Sequence, residues 1–186
     1  MHYVTGKVRA SFVNLEEPNQ LSGKYQIDLL MKKGGAEARK LRKAIEEAIE
    51  EGVKSYKKWN GKRPKMDRTV LKDGDDKIDA AEKPENYTAY EGMVYVTPKA
   101  DKAKDFYVFD ADRQTVTPDT IYSGCYVRCS MDIVPYAHDL GGKGVTAKLV
   151  GLQFLEDGEP LGGTHHSEES VSRDFDGDLD DEDEEF

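Results

Sequence analysis

The chain has 186 residues, 37% of them hydrophobic, and a formal net charge of −10. No apolar run approaches the ~18 residues of a membrane-spanning helix, and no charged, apolar, small-residue leader opens the sequence, so the composition predicts a soluble intracellular protein with one domain. Charge is segregated: residues 167–186 hold eleven acidic residues against Arg173 alone, which leaves residues 1–166 balanced at 26 acidic and 26 basic.

Taken in chain order, residues 3–13 (YVTGKVRASFV) alternate, with Val4, Val8 and Phe12 on one face and Tyr3, Thr5, Lys7, Arg9 and Ser11 on the other. That pattern predicts a half-buried strand with a basic outer face. Residues 24–31 alternate again and place Tyr25, Ile27, Leu29 and Met31 together. The period then changes, and Ala38, Leu41, Ile45, Ala48 and Ile49 define one stripe of a helix over 36–51, with Gly52 as its C-terminal stop.

Residues 53–90 lack clean periodicity and read as a long insert, part ordered and part mobile. Within it, residues 54–72 carry eight basic residues and one acid around Tyr56 and the single tryptophan, Trp59. Strands resume at 92–97 and 105–109, with a turn at 110–113, and the longest spans 124–136 (GCYVRCSMDIVPY). There Cys125, Val127, Cys129, Met131 and Ile133 form one apolar face, so Tyr126, Arg128, Ser130 and Asp132 point the other way. Cys125 and Cys129 stand roughly 13 Å apart along such a strand, too far for a mutual disulfide or a shared ion, and read as buried reduced thiols. A Gly-rich loop leads to a last strand over 145–155. With no β-α-β alternation, the pattern predicts a mainly β protein, a compact antiparallel barrel with one packed helix, over residues 1–163. Residues 164–186 read as a disordered acidic tail, because the run repels itself and offers little apolar surface.

Cations beside accessible aromatic rings are what single-stranded nucleic acid requires: the cations neutralise phosphates and the rings stack on bases of any identity. Lys57, Lys58, Lys62, Arg63, Lys65 and Arg68, with Tyr56 and Trp59, supply both on the insert, although a tryptophan there also suits a core plug. Lys7, Arg9, Tyr126 and Arg128 could line the barrel face beneath them, and Tyr95 and Tyr107 on the intervening strands complete the candidate contacts. Catalytic signals are weak. Asp110 and Asp112 form a D-x-D that could hold a metal for phosphoryl transfer, but they fall where a hairpin turns. His2, His138, His165 and His166 are scattered, no metal or cofactor is expected, and the EF-hand-like acid spacing at 174–185 has Leu179 where that loop needs glycine.

The block IYSGCYVRCSMDIVPY, the Gly-rich gap, KGVTAKLVGLQFLEDGEPLGG and an acidic tail closing on phenylalanine together resemble the bacteriophage single-stranded DNA-binding proteins with an OB-fold. The resemblance is sharpest over residues 121–163 and the tail. It implies a partly open five-stranded barrel that binds single-stranded DNA without sequence preference in phage replication or recombination, in the cytoplasm of the infected host; such grooves also accept RNA, and some relatives duplex DNA. By position it makes Tyr126 and Arg128 DNA contacts. It makes the acidic run a competitor of DNA, and Asp181, Glu182, Asp183, Glu184, Glu185 and Phe186 the contact for a partner such as polymerase or helicase. Two other readings stand beside it: a metal-dependent nuclease or recombination enzyme using Asp110 and Asp112, and an interaction protein whose tail mimics DNA without binding it.

Overall fold

The computed structural model describes residues 1–66, 68–140 and 142–162. Its framework is nine strands: β1 (His2–Val4), β2 (Val8–Asn14), β3 (Tyr25–Lys32), β4 (Lys72–Asp73), β5 (Met93–Val96), β6 (Lys99–Ala100), β7 (Tyr107–Phe109), β8 (Tyr126–His138) and β9 (Gly142–Glu156). Five of them close a circuit, because β8 pairs with β2, β2 with β3, β3 with β6, β6 with β9 and β9 again with β8. Pairing through β6 involves few residues, Tyr25 with Ala100, Gln26 with Lys99 and Lys99 with Lys148. The barrel is thus nearly open at that seam.

The expected all-antiparallel arrangement fails at β9, which runs parallel to β6 and β7. The reason is topological: β8 lies between β7 and β9 in sequence and pairs antiparallel to β9, so the chain returns in the direction β7 had. The Gly-rich stretch is also shorter than expected, since β9 begins at Gly142.

The core follows the strand periodicity closely where both neighbours are sheet. Cys125, Val127, Cys129, Met131 and Ile133 are all fully buried, and burial pushes the Cys125 thiol up to about 11. Helix α1 (Ala36–Ser55) closes one side of the barrel with Ala38, Leu41, Ala44, Ile45, Ala48 and Ile49 buried. It does not stop at Gly52. The glycine is internal, and a Cβ there would lie 2.5 Å from Cζ3 of Trp59, so its function is to let the indole lie flat against the helix.

Two alternation assignments are corrected. Val8 is buried but Val4 and Phe12 are 46% and 42% exposed. The chain leaves regular pairing at residues 5–7, placing Val4 on β1, and a bulge between Ser11 and Asn14 puts Phe12 in the left-handed region (φ 44°), turning its ring outward. On β3, the supposed solvent face is buried as well: Asp28 and Leu30 lie under a second, smaller cluster built on Tyr90 and Tyr95.

That cluster is what the insert builds. After a 3-10 turn at Lys57–Trp59, the chain forms β4, the short helix α2 (Gly74–Asp79, capped by the Asp73 carboxylate) and a 3-10 segment over Pro84–Tyr90. Asp28, 4% exposed, accepts hydrogen bonds from Thr97 Oγ1 (2.6 Å), Tyr90 OH (2.6 Å) and Lys77 Nζ (2.8 Å). The Lys77 ammonium also lies 4.6 Å from the ring centroids of Tyr90 and Tyr95, 5.1 Å from Phe12 and 5.2 Å from Tyr87. A cation so placed gains from both the buried carboxylate and the ring faces, and it ties α2 to the sheet. Lys77→Met is expected to cost about 2 kcal/mol of stability, the scale of one charged hydrogen bond lost in a partly buried site; a thermal melt within 1 °C of the parent would show that the lysine is not holding the insert in place.

No helix among the described residues is long and apolar enough to cross a membrane.

Candidate nucleic-acid interface

The outward faces of β8, β2, β3 and β5 align in register. Tyr126 stands opposite Arg9, Arg9 opposite Leu30, Leu30 opposite Tyr95, and Tyr95 opposite Lys72. Adjacent outward positions add Arg128, which is opposite Gln153 on β9, and Gln153 in turn faces Phe109. A third row runs Val4, Ser130, Gly151, Tyr107. Side chains from eight strands therefore share one side of the sheet.

Residues 157–162 cross this side. Gly158 abuts the Tyr126 ring, Arg9 Nη2 donates to Glu159 O (2.8 Å), and the Leu161 amide donates to Ser123 O (2.8 Å) while its side chain packs on the Leu30, Tyr90 and Tyr95 cluster. The segment divides the face into two patches.

The first patch centres on the half-buried Tyr126. Lys7 Nζ lies 5.4 Å and the Arg9 guanidinium 5.7 Å from its ring centroid. Arg9 is aimed by its second bond, Nε to Gly124 O (3.2 Å), and Arg128 by Nε to Thr5 O (3.1 Å). Lys7 also pairs with Glu156 at 2.8 Å, and that hydrogen bond raises its pKa. Tyr107 is 62% exposed. Rings edged by cations held on a rigid sheet offer stacking surfaces and phosphate partners at fixed spacing.

The second patch holds Phe12, Tyr87, Lys77, Lys72 and Tyr95. Lys72 Nζ lies 5.3 Å from the Tyr95 centroid. Although the residue as a whole is exposed, loss of water around the ammonium lowers its pKa, opposed by the Asp28 charge and reinforced by Lys99, Lys77 and Arg68. Tyr95 is a wall rather than a platform: it is 7% exposed, and burial together with the Asp28 charge pushes its hydroxyl up to about 12. Phe12 and Tyr87 stack on each other at 5.2 Å. Composition could not reveal these residues, since Phe12 owes its exposure to the bulge and Lys77 its position to the fold of the insert.

The part of the basic segment around Trp59 lies elsewhere. Trp59 is 2% exposed, and its Nε1 donates to Tyr136 O at 3.1 Å. Tyr136 is ten residues along β8 from Tyr126, a contour of roughly 33 Å. Trp59 is thus the core plug, not a ring offered to a base. Tyr56 is half-buried and meets its edge at 5.8 Å. Arg63 is engaged in a two-pronged pair with Glu46 (2.8 and 3.0 Å), a contact that lowers the Glu46 pKa. Lys57, Lys58, Lys62, Lys65 and Arg68 are exposed. The expectation that this segment overlies Lys7, Arg9, Tyr126 and Arg128 is therefore corrected for its first part, which the indole anchors at the opposite end of the barrel's long hairpin; its last residue, Lys72, lies in the second patch opposite Tyr95.

Asp110 and Asp112 are turn residues. Asp110 Oδ1 accepts from the amides of Asp112 (2.9 Å) and Gln114 (2.8 Å), which fixes the β7 turn. Among the described residues, no three His, Cys, Asp or Glu side chains gather as a metal site. Asp181, Glu182, Asp183, Glu184, Glu185 and Phe186 lie outside the described residues.

Comparison with known proteins agrees with this architecture. The family profile described as "Enterobacter phage Enc34, ssDNA-binding protein" matches residues 1–186. Protein p50 of Acyrthosiphon pisum secondary endosymbiont phage 1 is 34% identical over 173 residues, covering 84% of each chain. The solved structure of the single-stranded DNA-binding protein from bacteriophage Enc34 in complex with ssDNA is similar, with a TM-score of 0.67, 26% identity, and coverage of 87% of this chain and 89% of that one. Gp2.5, a single-stranded DNA binding protein encoded by bacteriophage T7, shares the fold at a TM-score of 0.62 with 14% identity, over 97% and 96% of the two chains. The family and its solved members are binding proteins, not enzymes, and this chain belongs to the family of the Enterobacter phage Enc34 ssDNA-binding protein.

Proposed function

We propose that the protein binds single-stranded DNA without sequence preference during phage replication or recombination in the host cytoplasm, with the strand lying across the Tyr126 patch. The observation that carries this reading is the Tyr126 ring with Lys7 and Arg9 over it, two residues from Arg128 on a rigid strand. It is supported by the similarity to an Enc34 protein solved with ssDNA. None of the hydrogen bonds that aim Arg9 and Arg128 uses a base-reading side chain, and stacking tolerates every base, which suits a protein that coats rather than selects.

Tyr126→Ala is expected to weaken binding of a single-stranded oligonucleotide about tenfold, the scale of one lost stacking contact. Arg128→Gln should reduce the slope of log K against log salt by about 0.7, as for one lost phosphate contact. Fluorescence anisotropy titrations at several salt concentrations read both. An unchanged affinity for Tyr126→Ala would move the binding face elsewhere, with the Phe12 and Lys72 patch next in line.

The acidic residues 167–186 complete the proposal. Four residues separate them from residues 157–162, which are fastened beside both patches, a tether short enough for the acids to reach the cations that DNA would need. The tail competes there with the DNA backbone, and its closing Phe186 gives a replication partner such as polymerase or helicase an aromatic contact.

A further inference from the structure

The third row of outward positions has a gap in it. Gly151 stands between Ser130 on β8 and Tyr107 on β7, with Val4 one strand further out. A β-bulge borders it, since Ser130 pairs with Gly151 but Met131 with Leu149, leaving Val150 as the extra residue; Gly151 itself is paired, and neither its dihedrals nor its surroundings demand a glycine. Its backbone is not in the left-handed region, and a Cβ would meet no atom closer than Tyr107 O at 3.4 Å, an ordinary contact. Glycine weakens a strand and often marks a bulge or the close approach of another molecule, and here the unpaired residue of the bulge is Val150 rather than Gly151.

The missing side chain opens a cavity of about 350 Å³ whose walls include Val4, Phe109, Arg113, Arg128, Leu152 and Gln153. Its size lies at the small end of the range of roughly 300–1,000 Å³ for ligand pockets, which suits a ring rather than a chain. The floor is apolar, the only charged residues in the lining are the two arginines, and no carboxylate takes part. Val4 and Tyr107 remain 46% and 62% exposed at its rim. Arg113 is brought there by a left-handed backbone (φ 64°) in the turn held by Asp110, its amide donating to Asp110 O at 3.1 Å. A non-glycine residue kept in that region marks a position that the surroundings hold against its preference.

We propose that this slot takes one unstacked nucleobase of the bound strand. The inference rests on the single-stranded DNA reading and deepens it. Arg128 lies two residues from Tyr126 on the same side of β8, a separation of roughly 7 Å, so a strand leaving the Tyr126 ring reaches the slot directly. Its phosphate meets Arg128 or Arg113, and its base enters the apolar gap. Arg128 uses one of its five donors on Thr5 O. Gln153, whose Nε2 donates to Ala111 O at 3.1 Å, presents an amide at the edge of the slot for a base's polar rim. An apolar ligand without a backbone of negative charge would leave both arginines unused.

The test is Gly151→Val, which fills the slot with a side chain suited to a strand. With full-length protein at low salt, the affinity for an oligothymidine is expected to fall about tenfold. The affinity for an abasic strand of the same length is expected to stay within twofold of the parent, since it has phosphates but no base to insert. If Gly151→Val does not melt like the parent, Val4→Tyr, which fills the slot from its exposed edge, is read in its place with the same two strands. An equal loss on both strands, or no loss on oligothymidine, overturns the slot. Failure of the parent protein to bind either strand would instead overturn the single-stranded DNA reading itself.

Discussion

Trp59→Ala is expected to lower the unfolding free energy by ~3–5 kcal/mol, the usual cost of deleting a large buried aromatic. For a chain of this length each kcal/mol shifts the midpoint by about 2–4 °C, so the melt should fall by roughly 6–20 °C. The ring is 2% exposed, is pinned through Nε1 to Tyr136 O, and lies on the surface that Gly52 leaves open in α1. Helix α1, the 3-10 turn and the hairpin of β8 and β9 all meet at this ring, and α1 cannot close over the resulting hole without moving its backbone. The folded fraction should nevertheless bind single-stranded DNA within about twofold of the parent, because the indole lies roughly 33 Å along β8 from Tyr126. A melt paired with an anisotropy titration separates the two. Lost DNA binding with an unchanged melt would return Trp59 to the interface.

Trp59 also shows where the sequence stops being informative. A lone tryptophan among eight basic residues is equally the pattern of a stacking loop and of a plug beneath a solvated surface. What decides between them is Gly52, seven residues earlier, whose missing side chain is legible only once the helix is known to continue past it. The long hairpin is the opposite case. Cys125 to Ile133 alternate over four periods of the pleat, and every position points as the period of two requires, so Tyr126 and Arg128 could be assigned to the outer face directly. Alternation misled at Phe12 and Val4, where a bulge and a break in pairing shift the register by less than a strand. It failed at Leu30, because the cover over that face comes from Tyr90, the last residue of an insert with no period of its own, and from Tyr95 just after it. Local pattern reports a strand's own two faces; it does not report what the rest of the chain lays upon them.

Removal of residues 174–186 is expected to strengthen binding to single-stranded DNA about a hundredfold at 50 mM salt. The deleted segment contains nine carboxylates and no basic residue. If each makes an exposed contact with the cationic face worth ~0.3 kcal/mol, the run sums to ~3 kcal/mol, which is about two decades in an equilibrium constant. The advantage should shrink to less than about threefold near 500 mM, where screening shortens the reach of such pairs to well under 10 Å. Geometry permits the contact: the 24 residues after Gly162 can extend at most ~80 Å, and Gly162 follows a segment that touches both Tyr126 and the Tyr90 cluster. On the proposed reading, the same charge arithmetic reconciles a net charge of −10 with a polyanionic ligand, since residues 1–166 are neutral and the excess is confined to a segment that DNA would displace. Substituting the nine carboxylates by their amides should reproduce the deletion, whereas removing Phe186 alone should leave DNA affinity unchanged. An intact-tail protein that binds as tightly as the truncated one at 50 mM would leave the acidic run with no role in DNA binding, and its charge would then act only on other proteins.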